Sequence, residues 1–242
     1  MKRLGTKPLG LLVRLILAIG IFHSAFAAAD RQAAAISVGG RSVVIVQPEG
    51  FCWLDLNGSE GPMAQQAAAI FSKTGQELLA MFADCKELKL LRSGKVTTLK
   101  RHGSFTADAN RRGLVVPTKL TRREVISQTA TQLSKASIYS DSLNNLKRAA
   151  NQVLPGTILE MSVPRVISQD QNAIYVGGIV GGRSSLGVNR LIATVTNTSV
   201  LQGLVINLIL HDEVKSDPYN FSSLLRESRA LAAELVRLNP TQ

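Results

Sequence analysis

The first thirty residues limit most strongly what this chain folds into, because they decide how much of it takes part in the fold. Lys2, Arg3, Lys7 and Arg14 form a cationic start without an acidic residue, and Leu15 to Phe22 follows as an apolar core. The stretch closes on Ala25-Phe26-Ala27, which matches the small-x-small pattern of signal-peptide cleavage. Residues 1–27 are therefore expected to be a signal peptide, cut after Ala27 or, in a second register, after Ala29. The apolar run is shorter than the roughly 20 residues that span a bilayer as a helix. A removed leader is expected rather than a retained anchor, leaving a soluble, periplasmic or secreted chain that does not span the membrane.

Export then gives meaning to the cysteines. Cys52 and Cys85 are the only two, and in an oxidising compartment an isolated pair reads as one structural disulfide. Two thiols without a neighbouring histidine do not make a metal site, and a redox pair favours the C-x-x-C spacing. The formal net charge of +11 falls to +7 once the four leader cations are removed. The cations gather in pairs, Lys100-Arg101, Arg111-Arg112, Arg122-Arg123 and Lys147-Arg148. They suit an anionic envelope component as partner, or simply a solvated basic surface. Nucleic acid is not expected outside the cytoplasm, and no motif for it is present. Trp53 is the only tryptophan, which argues against a surface of stacking rings for sugars or bases.

Residues 28–242 suffice for one domain. Residues 30–40 read as a loose start, Arg41–Gln47 as a β-branched strand ending at Pro48-Glu49-Gly50, and Phe51–Leu54 as a short extended piece. From Met63 to Leu88, apolar residues recur at spacings of three and four, predicting one helix to about Lys89. A disulfide from Cys52 to Cys85 tests that helix. Its rise from Pro62 to Cys85 is about 35 Å, whereas ten extended residues reach at most about 34 Å. A stretched 53–62 segment is expected, with a bend near Gly75. Val96–Lys100 and Gly113–Val116 are weak strand candidates around a polar loop. Thr121-Arg122-Arg123-Glu124 is a capping box opening a helix to about Lys135, and Asp141–Val153 a second, stopped at Pro155-Gly156. Thr157–Ile167, Asn172–Val180, Leu191–Thr196 and Gly203–Leu210 read as strands in two hairpins, turning at 168–171 and 197–199. A last amphipathic helix covers Phe221–Leu238.

Four motifs dissolve on inspection. Gly177 to Ser184 is one residue from a phosphate-binding loop, but Arg183 replaces its lysine and a strand follows in place of a helix; a glycine-rich strand end is expected. Leu191–Leu210 carries no charge yet holds too many polar residues for lipid, so a buried hairpin is expected. His211-Asp212-Glu213 is the one cluster of histidine with carboxylates, and His102 the only other histidine beyond the leader. His102-Gly103-Ser104 near Asp108 is a bare outline of a serine hydrolase. No catalytic residue, cofactor site or metal set is assigned.

The strand and turn Val43-Val44-Ile45-Val46-Gln47-Pro48-Glu49-Gly50-Phe51, the hairpin Leu191–Leu210 and the terminal helix Phe221–Asn239 together resemble the PsbP-like α/β/α sandwich group. That resemblance implies an antiparallel sheet between helices and an accessory role in the envelope. The expected fold is α+β, a single domain with a mainly antiparallel sheet flanked by helices. The expected function is an exported, non-enzymatic envelope protein that binds or supports an anionic component or another envelope protein. An envelope hydrolase with a site near His211 is the alternative.

Overall fold

Gly39 and Gly40 take φ values of +57° and +72°, the left-handed pair that a two-residue hairpin turn requires. They join β1 (Ala33–Val38) to β2 (Arg41–Val46) as a separate antiparallel ribbon. The expected loose start at 30–40 is thus a strand from Ala33 onward. The alternating exposure of β1, carried largely by alanine, hides the usual β-branched signal. The structure is a computed structural model and describes residues 32–110, 112–134, 136–153, 158–183, 189–214 and 221–240. The leader at 1–27, Arg111, Lys135, Pro155-Gly156 and Ser184 lie outside the described residues.

The remaining strands form one sheet in the order β3 (Phe51–Trp53), β4 (Gln76–Asp84), β5 (His102–Asp108), β10 (Leu204–Glu213), β9 (Asn189–Leu201), β8 (Ile174–Arg183). Its far edge is shared by β6 (Ile158–Met161) and β7 (Arg165–Gln169), which both pair with β8. The pairings among the described strands are all antiparallel. Thr157–Ile167 was expected as one strand; it breaks around Pro164, whose missing N–H cannot join a ladder. Five helices are described: α1 (Gly61–Lys73), α2 (Cys85–Arg92), α3 (Arg122–Leu133), α4 (Ala136–Val153) and α5 (Ser222–Leu238). This is the expected α+β architecture, a mainly antiparallel sheet with helices packed on it.

Two apolar clusters sit on opposite faces of the sheet. On one face, Phe82, Phe105, Val195, Leu208 and Leu210 pack with Leu231 and Leu235 of α5 and with Val43 and Ile45 of the ribbon. The ribbon is fastened by Asn239, just past α5: its amide accepts from the Val44 N–H and donates to the Val44 carbonyl, both at 2.8 Å. On the other face, Met81 and Ala83 pack with Ala64 of α1 and Leu88 of α2. Four of the few aromatic rings, Phe51, Trp53, Phe82 and Phe105, pack edge-to-face or tilted against one another at centroid distances of 5.3–6.1 Å.

The long helix expected over 63–89 is a helix, a strand and a second helix. Gly75, at φ +78°, ends α1, and Thr74 Oγ1 donates back to the Phe71 carbonyl at 2.8 Å instead of capping a new helix. β4 is covered on both faces, so its sequence is nearly continuous in apolar residues, and such a run mimics helical spacing. This also resolves the disulfide. Cys52 sits opposite Ala83 in the β3–β4 register, and Cys85 follows two residues later, with Cα atoms 4.9 Å apart. No stretched 53–62 segment is needed. The Cys52–Cys85 bridge closes a 33-residue separation, worth about 3–4 kcal/mol through the unfolded chain.

Two further expectations move. Val96–Lys100 is irregular and the supposed polar loop after it is β5, a central strand whose Gly103, Ser104 and Thr106 hid it. Gly113–Val116 contributes only a bridge from Val115 to Ala109. The late hairpin turns at Gln202-Gly203 (φ +51° and +75°), not at Asn197-Thr198-Ser199. Those three residues lie inside β9, where Asn197 is 1% exposed and donates to Ser228 Oγ of α5 at 2.9 Å. The capping box at Thr121 and Glu124 forms as expected, and Gly177–Gly182 lie within β8 rather than in a phosphate loop.

Candidate functional site

The antiparallel register of β5 and β10 places His102 directly opposite His211. Facing side chains on neighbouring strands meet at about 5 Å, and the two imidazoles stack with centroids 4.6 Å apart and planes 27° from parallel. The two non-leader histidines, 109 positions apart in sequence, therefore form one cluster. On β9, Thr194 lies across from His211, with its Oγ1 2.9 Å from His211 Nδ1. His102 Nδ1 is sealed from solvent and has no hydrogen-bond partner among the described residues. The Ser104 hydroxyl, two residues along the same strand face, is in the same position.

A charged group borders the pair. Glu213 lies two residues beyond His211 and receives Arg190 at 3.1 Å and Lys100 at 3.2 Å. Arg190 also donates to the Leu99 carbonyl at 3.3 Å, tying the irregular 96–101 segment to β9. Partial burial pushes the Glu213 carboxyl up, but Lys100 and Arg190 outweigh it and hold the group below its ordinary value. Burial of an imidazolium is unfavourable, and for His102 it lowers the pKa to about 4, with Arg190 acting in the same direction. His211 is also held well below its ordinary value, by burial and then by His102. Both rings are neutral at pH 7.

A serine hydrolase requires a nucleophile hydrogen-bonded to its base, and a third group orienting that base. Here His211 Nδ1 is engaged by Thr194, Ser104 Oγ meets neither imidazole in a hydrogen bond, and Asp108 stands at the opposite end of β5, bonded to Asn207 at 2.8 Å. His102, His211 and Ser104 are brought together; Asp108 is not. The arrangement is a half-buried proton-accepting pair bordered by ions.

The second feature is the segment that the disulfide anchors. α2 opens on Asp84, whose carboxylate accepts from the Lys86 and Glu87 N–H groups. It ends with Gly94 at φ +69°, where Gly94 N–H donates to the Leu91 carbonyl and Lys95 N–H to the Leu90 carbonyl, both at 2.9 Å. That double bond pattern is a Schellman motif. Six cations, Lys86, Lys89, Arg92, Lys95, Lys100 and Arg101, lie in these sixteen residues. Three turn inward. Arg92 grips buried Glu60 through Nε at 3.1 Å and through the guanidinium tip at 2.8 Å, and this pairing holds Glu60 at about 2. Lys100 meets Glu213, and Arg101 meets Glu227 at 2.5 Å while lying over the Phe51 ring. Glu87, the segment's only acid, accepts from the Lys100 and Arg101 N–H groups.

The cation pairs singled out from sequence thus have structural tasks in several cases: Lys100 and Arg101 as above, and Arg122 donating to the Val200 carbonyl at 3.2 Å. The cations without an acidic partner, Lys86, Lys89 and Lys95, do not stand out in the sequence, because they are three and six residues apart rather than adjacent.

No family model matches the chain, and no curated protein is similar to it. Among solved structures, the chain is similar to the solution structure of cyanobacterial PsbP (CyanoP) from Synechocystis sp. PCC 6803, at 10% identity and a TM-score of 0.31. The match covers 86% of this chain and 89% of that one.

Proposed function

We propose that this chain is an exported, non-enzymatic envelope protein, periplasmic or secreted, with a binding or accessory role toward an anionic component or another envelope protein. The observation that carries the reading is the Cys52–Cys85 disulfide, which joins β3 to the start of α2. Such a bond persists in oxidising compartments and is rare where thiols are kept reduced. The leader-like N-terminus points to the same compartment. None of the described helices is long and apolar enough to cross a membrane. The surplus of positive charge suits an anionic partner.

Intact mass of the protein released by osmotic shock, with and without reductant and alkylation, tests the reading. The expected mass is that of a chain starting at Ala28 or Asp30 which takes up two alkyl groups only after reduction. A mass that keeps Met1, or two thiols alkylated without reductant, overturns it.

A further inference from the structure

We propose that the outer face of α2 and the turn after it, Lys86, Lys89, Leu90 and Lys95, is a docking surface for an anionic phospholipid membrane. The proposal deepens the binding role above, and it holds or fails independently of where the chain is processed.

The argument starts from length. An eight-residue helix does not persist alone in water. This one is fixed by Asp84 at its first turn, by the Schellman motif at its last, by Leu88 in the core and by the disulfide at its first residue. Its cations are therefore presented from a rigid mount. The segment's acid, Glu87, is directed at backbone N–H groups, and Arg92, Lys100 and Arg101 are committed to Glu60, Glu213 and Glu227. Lys86, Lys89 and Lys95 are exposed and have no ion-pair partner among the described residues. Lys86, Lys89 and Leu90 fall at i, i+3 and i+4, on one face of the helix.

Leu90 separates a lipid surface from a merely anionic polymer. It is 39% exposed, although its neighbours Leu88 and Leu91 turn toward the core. An apolar side chain ringed by lysines matches the boundary between head groups and acyl chains. A water-soluble polyanion gains nothing from it. Each lysine near an anionic membrane strengthens binding roughly fivefold, an effect that salt screens.

Sedimentation with vesicles tests this, using the full chain with phosphatidylcholine alone or mixed equally with phosphatidylglycerol. All variants share one N-terminus, so differences between them read the patch. The phosphatidylglycerol-dependent partition is expected to fall roughly a hundredfold in a Lys86→Gln, Lys89→Gln, Lys95→Gln variant, and several-fold in Leu90→Ser. A variant of equal charge, Arg123→Gln, Lys147→Gln, Arg148→Gln, is expected to keep most of it. Circular dichroism and the urea midpoint of each variant verify that it is folded. Equal losses in the two triple variants overturn the proposal, as does phosphatidylglycerol binding that the α2 variant leaves unchanged, or no such binding at all. Binding of soluble polyphosphate that matches the vesicles and ignores Leu90→Ser also overturns it, in favour of a polymer site.

Discussion

Acidification should destabilise this protein well above the range where its carboxylates titrate, because two neutral, half-buried imidazoles are stacked on each other. For His102 the pKa falls from an ordinary 6.5 to about 4 on folding. The unfolded chain then binds a proton that the folded chain refuses, so stability is complete above pH 6.5 and falls as pH drops from there to about 4. The full window is worth about 3 kcal/mol, and the part between pH 7.5 and 5 about 2 kcal/mol, for His102 alone. His211 shifts in the same direction and steepens the slope. The main carboxylate losses come lower: Glu60 moves from 4.5 to about 2, so its contribution disappears only below pH 4.5. Urea unfolding at steps from pH 7.5 to 5 measures the effect. The expected slope between pH 6 and 5 exceeds 1 kcal/mol per pH unit, is reduced in His102→Gln and is nearly abolished in the His102→Gln, His211→Gln double variant. The reasoning is refuted if the double variant keeps the original slope, or if stability rises on acidification through this window.

Two predictions concern packing. Asn239→Ala leaves the Val44 N–H and carbonyl without the partners that now meet them at 2.8 Å. Unpaired buried backbone groups cost about 1–3 kcal/mol each, so the thermal midpoint should fall and the Val44 amide should exchange faster than in the parent; unchanged exchange counts against the fastening role. Gly103→Ala introduces a Cβ 2.4 Å from the Ile209 carbonyl oxygen and 2.5 Å from the Phe82 ring. We expect a loss of roughly 1–3 kcal/mol or more, read from the urea midpoint, and an unshifted midpoint counts against the close approach of Gly103 to both groups.

What the sequence determined by itself were features written in short range. The Thr121–Glu124 capping box, the amphipathic α5 and the β-branched β2 each depend on residue types at fixed local spacing, and the Cys52–Cys85 pair on there being only two cysteines. The antiparallel α+β class followed from the turn-bounded runs of the C-terminal half. What only tertiary structure decided was the meaning of patterns with two physical solutions. Residues 76–84 are apolar at helical spacing, yet they form a strand because both of its faces are covered. Residues 102–108 look like a polar loop, yet they occupy a central strand, since neighbouring strands take up their backbone hydrogen bonds and Gln76 and Asn207 meet Thr106 and Asp108. Asn197-Thr198-Ser199 looks like a turn, but α5, β10 and the Asn172 carbonyl satisfy its side chains, and the chain reverses where Gly203 accepts a positive φ. The candidate sites belong to this second group. Strand register alone stacks His102 on His211, and only the pairing of Arg92, Lys100 and Arg101 with acids leaves Lys86, Lys89 and Lys95 without one, because which charges are neutralised depends on contacts between residues 32 to 126 positions apart.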